Sequence, residues 1–334
     1  MPIRVAVVGA GSWGTTVATL ACRNAPTVLW ARRPELAVEI SEDHRNSEYL
    51  AGFDLPDELS ASSSLEEVVS DADVLVMGVP SHGMRDTLRD LSSFVRPWIP
   101  VVSLAKGLEV GSHLRMTQVI EQELPGHPVG VLTGPNLAKE ILAGHAAATV
   151  VAFSDDHIAR ELQRIFAGDL FRVYTNPDVI GCEVAGALKN VVAIASGMAD
   201  GLGTGDNTRA AVITRGLAEI SRLGLAMGGR LMTFAGLAGM GDLMATCISR
   251  QSRNRYVGEQ LGKGRTIDEI VAEMKMVAEG IKTSQVVVEL AERFDVEMPI
   301  AQEIHEVIHG GCRATDAYRG LLKRDHRSEL HGMS

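Results

Sequence analysis

Residues 3–24, IRVAVVGAGSWGTTVATLACRN, decide the fold. Residues 3–8 are mostly apolar and β-branched, the composition of a strand buried on both faces of a parallel sheet. Gly9, Gly11 and Gly14 follow at once as G-x-G-x-x-G, and residues 15–22 read as an apolar helix. A strand, a glycine turn and a helix in that order mark a dinucleotide-binding element. Gly9 permits the tight turn, Gly11 lets the backbone approach a pyrophosphate, and Gly14 lets the helix pack close to the strand. The helix start then offers unbonded N–H groups and a partial positive charge to the anion.

Outward from this stretch, strand and helix alternate. Apolar strands are expected at residues 27–30, 74–79, 101–104, 129–133, 148–153 and 171–175, with helical stretches at 34–46 and 83–94. Such alternation predicts an α/β domain built on a doubly wound, Rossmann-type parallel sheet. The pattern stops near Asn176-Pro177, and the remainder reads as all-α. Apolar residues fall at helical spacing over 183–198, 208–223, 283–294 and 299–308, separated by glycine-rich breaks. The expected organisation is a dinucleotide-binding domain at 1–178, a helical substrate and catalytic domain at 179–322, and a flexible polar tail at 323–334.

The chain has 334 residues and a formal net charge of −10, which argues against nucleic acid as a partner. Aromatic residues are only 4%, so the core must be built from aliphatic side chains and alanine. Cys22, Cys182, Cys247 and Cys312 are far apart in sequence and read as reduced thiols, with no metal-ligand spacing. Met1 leads directly into the first strand, without a targeting signal. No uncharged apolar run free of Gly and Pro reaches the roughly 20 residues a bilayer span requires. These features predict a cytoplasmic protein without a transmembrane segment.

Where an acidic residue would receive the ribose hydroxyls of NAD, at the end of the second strand, this chain reads Trp30-Ala31-Arg32-Arg33. Two guanidiniums suit a 2′-phosphate, so NADP(H) is expected to be preferred, with NAD(H) also usable. Four further stretches carry polar groups in apolar surroundings. Ser103-Leu-Ala-Lys106-Gly107 and Thr133-Gly134-Pro135-Asn136 each follow a strand, at the sheet edge where such folds bind ligands. Gly186-Ala-Leu-Lys189-Asn190 sets a lysine inside an apolar helix, where a buried amine can serve as general acid or base. The fourth, Gly239-Met-Gly-Asp242 followed by Ser249-Arg-Gln-Ser252-Arg253-Asn254, offers a carboxylate and a phosphate-binding fork. The bland alternatives are ordinary surface charges and a snorkelling Lys189.

Taken together, Gly9-Ala-Gly-Ser-Trp-Gly-Thr15, Ser103-Leu-Ala-Lys-Gly107, Gly134-Pro135, Gly186-Ala-Leu-Lys-Asn190, Gly236-Leu-Ala-Gly-Met-Gly-Asp242, Gln251-Ser-Arg-Asn254 and Val277-Ala-Glu-Gly280 resemble the bacterial NAD(P)-dependent sn-glycerol-3-phosphate dehydrogenases. The resemblance runs in order over nearly the whole chain. It implies that Gly9, Gly11, Gly14, Ser12, Trp13, Arg32, Arg33, Tyr49, Lys106, Ala138, Arg253, Val277 and Glu279 meet the dinucleotide. It also implies that Lys106, Gly134, Asn136, Lys189, Asp242, Ser252, Arg253 and Asn254 meet the substrate. Lys189 is then the proton donor and acceptor, Lys106 an electrostatic partner, and Asp242 a residue that orients either Lys189 or a substrate hydroxyl. The implied reaction is reversible reduction of dihydroxyacetone phosphate to sn-glycerol 3-phosphate, feeding phospholipid synthesis, with no metal and with Lys106 and Lys189 meeting beside the nicotinamide.

Two departures stand out. Asn136-Leu137 replaces the family's usual Ser or Thr followed by Phe, and Ala278 replaces a valine. The apolar helices with glycine contacts suit a homodimer, and a monomer buries them equally well. The rival readings are a related two-domain β-hydroxyacid or sugar-nucleotide dehydrogenase, and a catalytically silent NADPH-binding protein.

Overall fold

In strand β1 (Val5–Val8) alternate side chains enter two different cores, and this sets the architecture of the first half. Val5 and Val7 join a cluster on one face of the sheet, whereas Ala6 and Val8 join a cluster on the other, as the two-residue period of a strand requires. A strand apolar on both faces needs helices on both faces. The computed structural model describes residues 2–274 and 278–322.

The first half runs β1, α1 (Ser12–Cys22), β2 (Thr27–Trp30), α2 (Pro34–Glu42), β3 (Ser60–Ser62), α3 (Leu65–Val69), β4 (Val74–Met77), α4 (Met84–Leu91) and β5 (Val101–Ser103). It continues with α5 (Met116–Glu123), β6 (Val129–Thr133), α6 (Ala138–Leu142), β7 (Ala147–Ala152), α7 (Asp156–Phe166) and β8 (Phe171–Asn176). The eight strands are ordered β3-β2-β1-β4-β5-β6-β7-β8. Val17, Ala18, Leu36, Ile40, Leu162 and Phe166 cover one face, and Val68, Leu88, Met116 and Ile120 cover the other. The doubly wound expectation is met with one correction, because the sheet is not wholly parallel. Strand β7 runs antiparallel to β6, and β8 is parallel to β7.

The second half is helical. It contains α8 (Val179–Gly201), α9 (Asp206–Ala226), α10 (Leu231–Phe234), a π turn (Leu237–Gly241), α11 (Asp242–Ile248), α12 (Arg253–Gly262), α13 (Ile267–Glu273), α14 (Glu279–Arg293), α15 (Pro299–Ile308) and α16 (Ala314–Leu322). By contact the chain divides into two compact units, one holding residues up to 109 and 114–179, the other 110–113 and the chain from 180 onward. The tail expected at 323–334 lies outside the described residues.

Helix α8 is the axis of the second unit, with every residue from Gly181 to Ala199 buried. By length and composition it is apolar enough to cross a membrane, and so is the stretch Leu231–Ile248. The glycines and charges of both had set them aside at the level of sequence. The apolar window of α8 is 89% buried within the protein, the signature of a core helix. Leu231–Ile248 is broken into α10, the π turn and α11.

Helices α8 and α12 touch backbone to backbone. A Cβ on Gly197 would stand 2.0 Å from the Arg255 carbonyl oxygen, and one on Gly258 would stand 1.9 Å from that of Ile194. Gly201 and Gly262 repeat the approach one turn on. This G-x-x-x-G pairing brings the helix carrying Lys189 against the helix that begins with Arg253 and Asn254.

Candidate active site

In the first unit the glycine turn does two separable jobs. Gly9 has φ +120°, and a Cβ on Gly14 would lie 2.0 Å from the Gly9 carbonyl oxygen, so these two glycines are demanded by the fold itself. Gly11 is different. Its φ is −70°, and nothing lies within 4 Å of where its Cβ would be. The chain's own packing would accept any residue there, so the open space suits a group from outside. Helix α1 starts at Ser12 with no side-chain cap, leaving its first N–H groups for that group. The Trp13 indole Nε1 is buried without a hydrogen-bond partner. The residues therefore fit a dinucleotide pyrophosphate.

Arg32 and Arg33 follow β2 after the single residue Ala31 and are both exposed. Arg33 is ion-paired with Glu48, a carboxylate that sequence order does not place at the end of β2. Tyr49, beside it, packs partly buried against the core. Both sit on a segment pinned by Asn46, which is fully buried and donates to the Ala10 carbonyl at 3.0 Å and to Thr15 Oγ1 at 2.9 Å. Ala138 opens helix α6, which packs against α1 and has no side-chain cap.

At the carboxyl edge of the sheet, Lys106 Nζ donates to the Gly134 carbonyl oxygen at 2.9 Å, so two stretches 28 residues apart meet. The loop carrying Lys106 is braced by Arg85, whose guanidinium holds Glu109 through two bonds of 2.8 and 2.7 Å. The paired carboxylates Glu109 and Glu123 raise the Arg85 pKa, so this brace stays charged. Asn136 donates to Thr149 Oγ1 at 3.0 Å, while its Oδ1 and the neighbouring Thr133 Oγ1 are buried without partners. Orphaned acceptors at the edge of a sheet fit a polar ligand.

The second unit holds a buried ion pair of its own. Lys189 is 4% exposed and Asp242 2%, and Nζ lies 2.8 Å from Asp242 Oδ1. Lys189 also donates to the Thr246 hydroxyl. That hydroxyl in turn donates to the Asp242 backbone carbonyl at 2.7 Å and stands 3.3 Å from Oδ1. Asp242 is set at the start of α11 by the π turn before it, where the Gly241 N–H reaches back to Gly236. Asp242 is thus in direct contact with Lys189. Cys247 completes the buried wall, and burial pushes its thiol up to about 12 despite the nearby Lys189 charge.

Asn254 is held at both ends of its amide. It donates to Asn190 Oδ1 at 2.9 Å and accepts from the Gly280 N–H at 3.0 Å. Ser252 Oγ caps α12 by accepting from the Arg255 N–H at 3.3 Å. Asn254 and Ser252 are thus buried and fixed by internal hydrogen bonds, while Arg253 is exposed in the first turn of α12. Glu279 opens α14, half-buried, and Val277 lies outside the described residues.

Sequence reasoning missed Asn46, Glu48, Asn190 and Thr246. The signal for Thr246 was present, since four residues after Asp242 on one helix is the next turn on the same face. Among the described residues no group of three or more His, Cys, Asp or Glu is placed to hold a metal ion.

Comparison with known proteins gives the family of the chain. Residues 4–159 match the N-terminal model, and residues 178–319 the C-terminal model, of NAD-dependent glycerol-3-phosphate dehydrogenase. The chain belongs to the NAD-dependent glycerol-3-phosphate dehydrogenase family. A Sphingopyxis alaskensis protein named glycerol-3-phosphate dehydrogenase [NAD(P)+] 2 is 58% identical over 99% of both chains. A Mycobacterium avium protein named glycerol-3-phosphate dehydrogenase [NAD(P)+] is 54% identical over 98% of this chain and 97% of its own. The crystal structure of glycerol-3-phosphate dehydrogenase from Coxiella burnetii superposes with a TM-score of 0.92 at 34% identity, covering 97% of this chain and 99% of that one.

Proposed function

We propose that the chain is an NAD(P)-dependent glycerol-3-phosphate dehydrogenase that reversibly reduces dihydroxyacetone phosphate to sn-glycerol 3-phosphate. The observation that carries this reading is the buried Lys189–Asp242 pair, 2.8 Å apart in a family whose reaction needs a proton at a carbonyl oxygen. When bound, the dinucleotide supplies the hydride. Every other requirement falls to the protein.

In the reductive direction, negative charge grows on the substrate carbonyl oxygen. Lys189 Nζ donates a proton to it and becomes the neutral amine, and in the oxidative direction the amine takes the proton back. Asp242 and Thr246 hold the amine in one orientation through both states, which saves reorganisation at the moment of transfer. In the first unit Lys106 offers positive charge, and Gly134 and Asn136 offer polar groups, to an anionic substrate. Arg253 and Asn254 hold the phosphate, with the guanidinium fork matching two of its oxygens.

The uncapped start of α1, with Ser12 and Trp13, receives the pyrophosphate, and Arg32 and Arg33 favour a 2′-phosphate. Tyr49 and Ala138 add further dinucleotide contacts from the first unit. The two-domain division at residue 178, a cytoplasmic location, the lack of a transmembrane segment, a homodimeric state and a role in phospholipid synthesis belong to the same proposal. The test is to mix purified protein with NADPH and dihydroxyacetone phosphate. Loss of nicotinamide absorbance that requires the ketone supports dehydrogenase action, whereas a flat trace with tight NADPH binding points to a silent binder.

A further inference from the structure

At the end of β2 a dinucleotide fold distinguishes its two cofactors, because a carboxylate there receives two ribose hydroxyls and a guanidinium receives a phosphate. This chain has both groups, and they are in contact. Arg33, the residue before α2, is ion-paired with Glu48, which arrives from 15 residues downstream. Glu48 does not drift there on a loose loop. Its neighbours are fixed on either side. The Ser47 N–H donates to Glu39 Oε1 at 2.8 Å, the Tyr49 N–H to Asn46 Oδ1 at 3.2 Å, and the Leu50 N–H to the Asn46 carbonyl at 2.8 Å. Asn46 is itself bonded to the glycine turn through Ala10. The carboxylate is thus positioned by the same element that holds the pyrophosphate.

We propose that Glu48 is a specificity-determining residue that holds the enzyme to dual use of NADPH and NADH. A 2′-phosphate approaching Arg33 must displace a carboxylate of its own sign. A 2′-hydroxyl needs no displacement, because it donates to Glu48 while Arg33 stays paired. Arg32, alongside, keeps enough positive charge for the phosphate to bind at all. The effect is moderate, since the Arg33 and Glu48 side chains are 56% and 45% exposed and water screens them.

The proposal rests on the dinucleotide reading above, so its test separates the two. Isothermal titration of NADPH and of NADH into wild type, Glu48→Gln and Glu48→Lys, with no ketone present, reads binding alone. Glu48→Gln should tighten NADPH about fivefold and leave NADH unchanged or weaker, moving the affinity ratio by about five- to tenfold. Glu48→Lys should move it further in the same direction, and raising the salt should shrink both shifts. Equal shifts for the two nucleotides, or a ratio that moves toward NADH, would overturn the proposal while leaving the dehydrogenase reading intact. Failure of wild type to bind either nucleotide would overturn the dinucleotide reading and this proposal with it.

Discussion

Removal of the Asp242 charge should leave a mark on stability that few single substitutions can. Lys189 Nζ and Asp242 Oδ1 are 2.8 Å apart, and the residues are 4% and 2% exposed. At an effective dielectric of about 20, Coulomb's law gives an attraction of about 6 kcal/mol. Desolvation of both groups offsets much of it, so the pair contributes little net stability, whereas a lone buried ammonium is costly. Asp242→Leu should therefore destabilise the fold by about 3–5 kcal/mol, with only the Thr246 hydroxyl left on the amine. Lys189→Met combined with Asp242→Leu should recover most of that loss, because an apolar pair of similar volume replaces the ionic one. Urea unfolding of the wild type, both single variants and the double variant gives the coupling energy. The tryptophans, Trp13, Trp30 and Trp98, all lie in the first unit, so fluorescence follows that unit while far-UV ellipticity weights the helical one. The shift should be larger in the ellipticity curve. A cost below about 1 kcal/mol for Asp242→Leu, or a double variant as unstable as the sum of the singles, would refute the reasoning.

Other outcomes follow from the same geometry. Gly14→Ala places a Cβ against the Gly9 carbonyl oxygen, so it should push α1 off β1 and weaken NADPH binding at least about tenfold in a titration. In native protein at neutral pH, Cys247 should resist iodoacetamide, since burial holds its thiol up at about 12, while half-exposed Cys312 labels, as mass spectrometry will read. The Arg4 backbone N–H and the Arg96 guanidinium hold the Asp73 carboxyl below its ordinary range, and Arg85 and Arg89 do the same for Glu123. Groups with depressed values stabilise the fold above the ordinary carboxylate range and lose that contribution as pH falls through their folded-state values. Asp73→Asn should therefore flatten the acid limb of the stability curve measured in urea.

What the sequence disclosed depended on how local each signal was. The glycine turn was legible because its strand and helix flank it within 22 residues, β4 and β6 were legible as apolar runs between breaks, and β8 as an alternation of apolar and polar residues. Strand β3 was not, since Ser60–Ser62 is only Ser-Ala-Ser at the sheet edge, held by pairing to β2 rather than by propensity. Helix α7 was overlooked although Ala159, Leu162, Ile165 and Phe166 mark a helical stripe. The direction of β7 could not be read from composition, because Val- and Ala-rich strands look alike in either orientation.

The site divides in the same way. Lys106, Lys189 and Asp242 announced themselves as charges in apolar settings. Their partners did not. Gly134 meets Lys106 from 28 residues away, Thr246 meets Lys189 from 57, and Asn254 meets Asn190 from 64. Only the folded backbone, and the glycine pairs that let α8 and α12 touch, make those contacts. The Glu48–Arg33 pair is the sharpest instance, because the local string at β2 showed two arginines and no acid.

The role of Lys189 is tested most directly by the rate at which Lys189→Met oxidises NADPH with saturating dihydroxyacetone phosphate, alongside its NADPH dissociation constant. If Lys189 is the proton donor, kcat should fall by about 10²- to 10⁴-fold while NADPH binding stays within about twofold of wild type. A variant that turns over within about threefold of wild type would contradict proton transfer by Lys189.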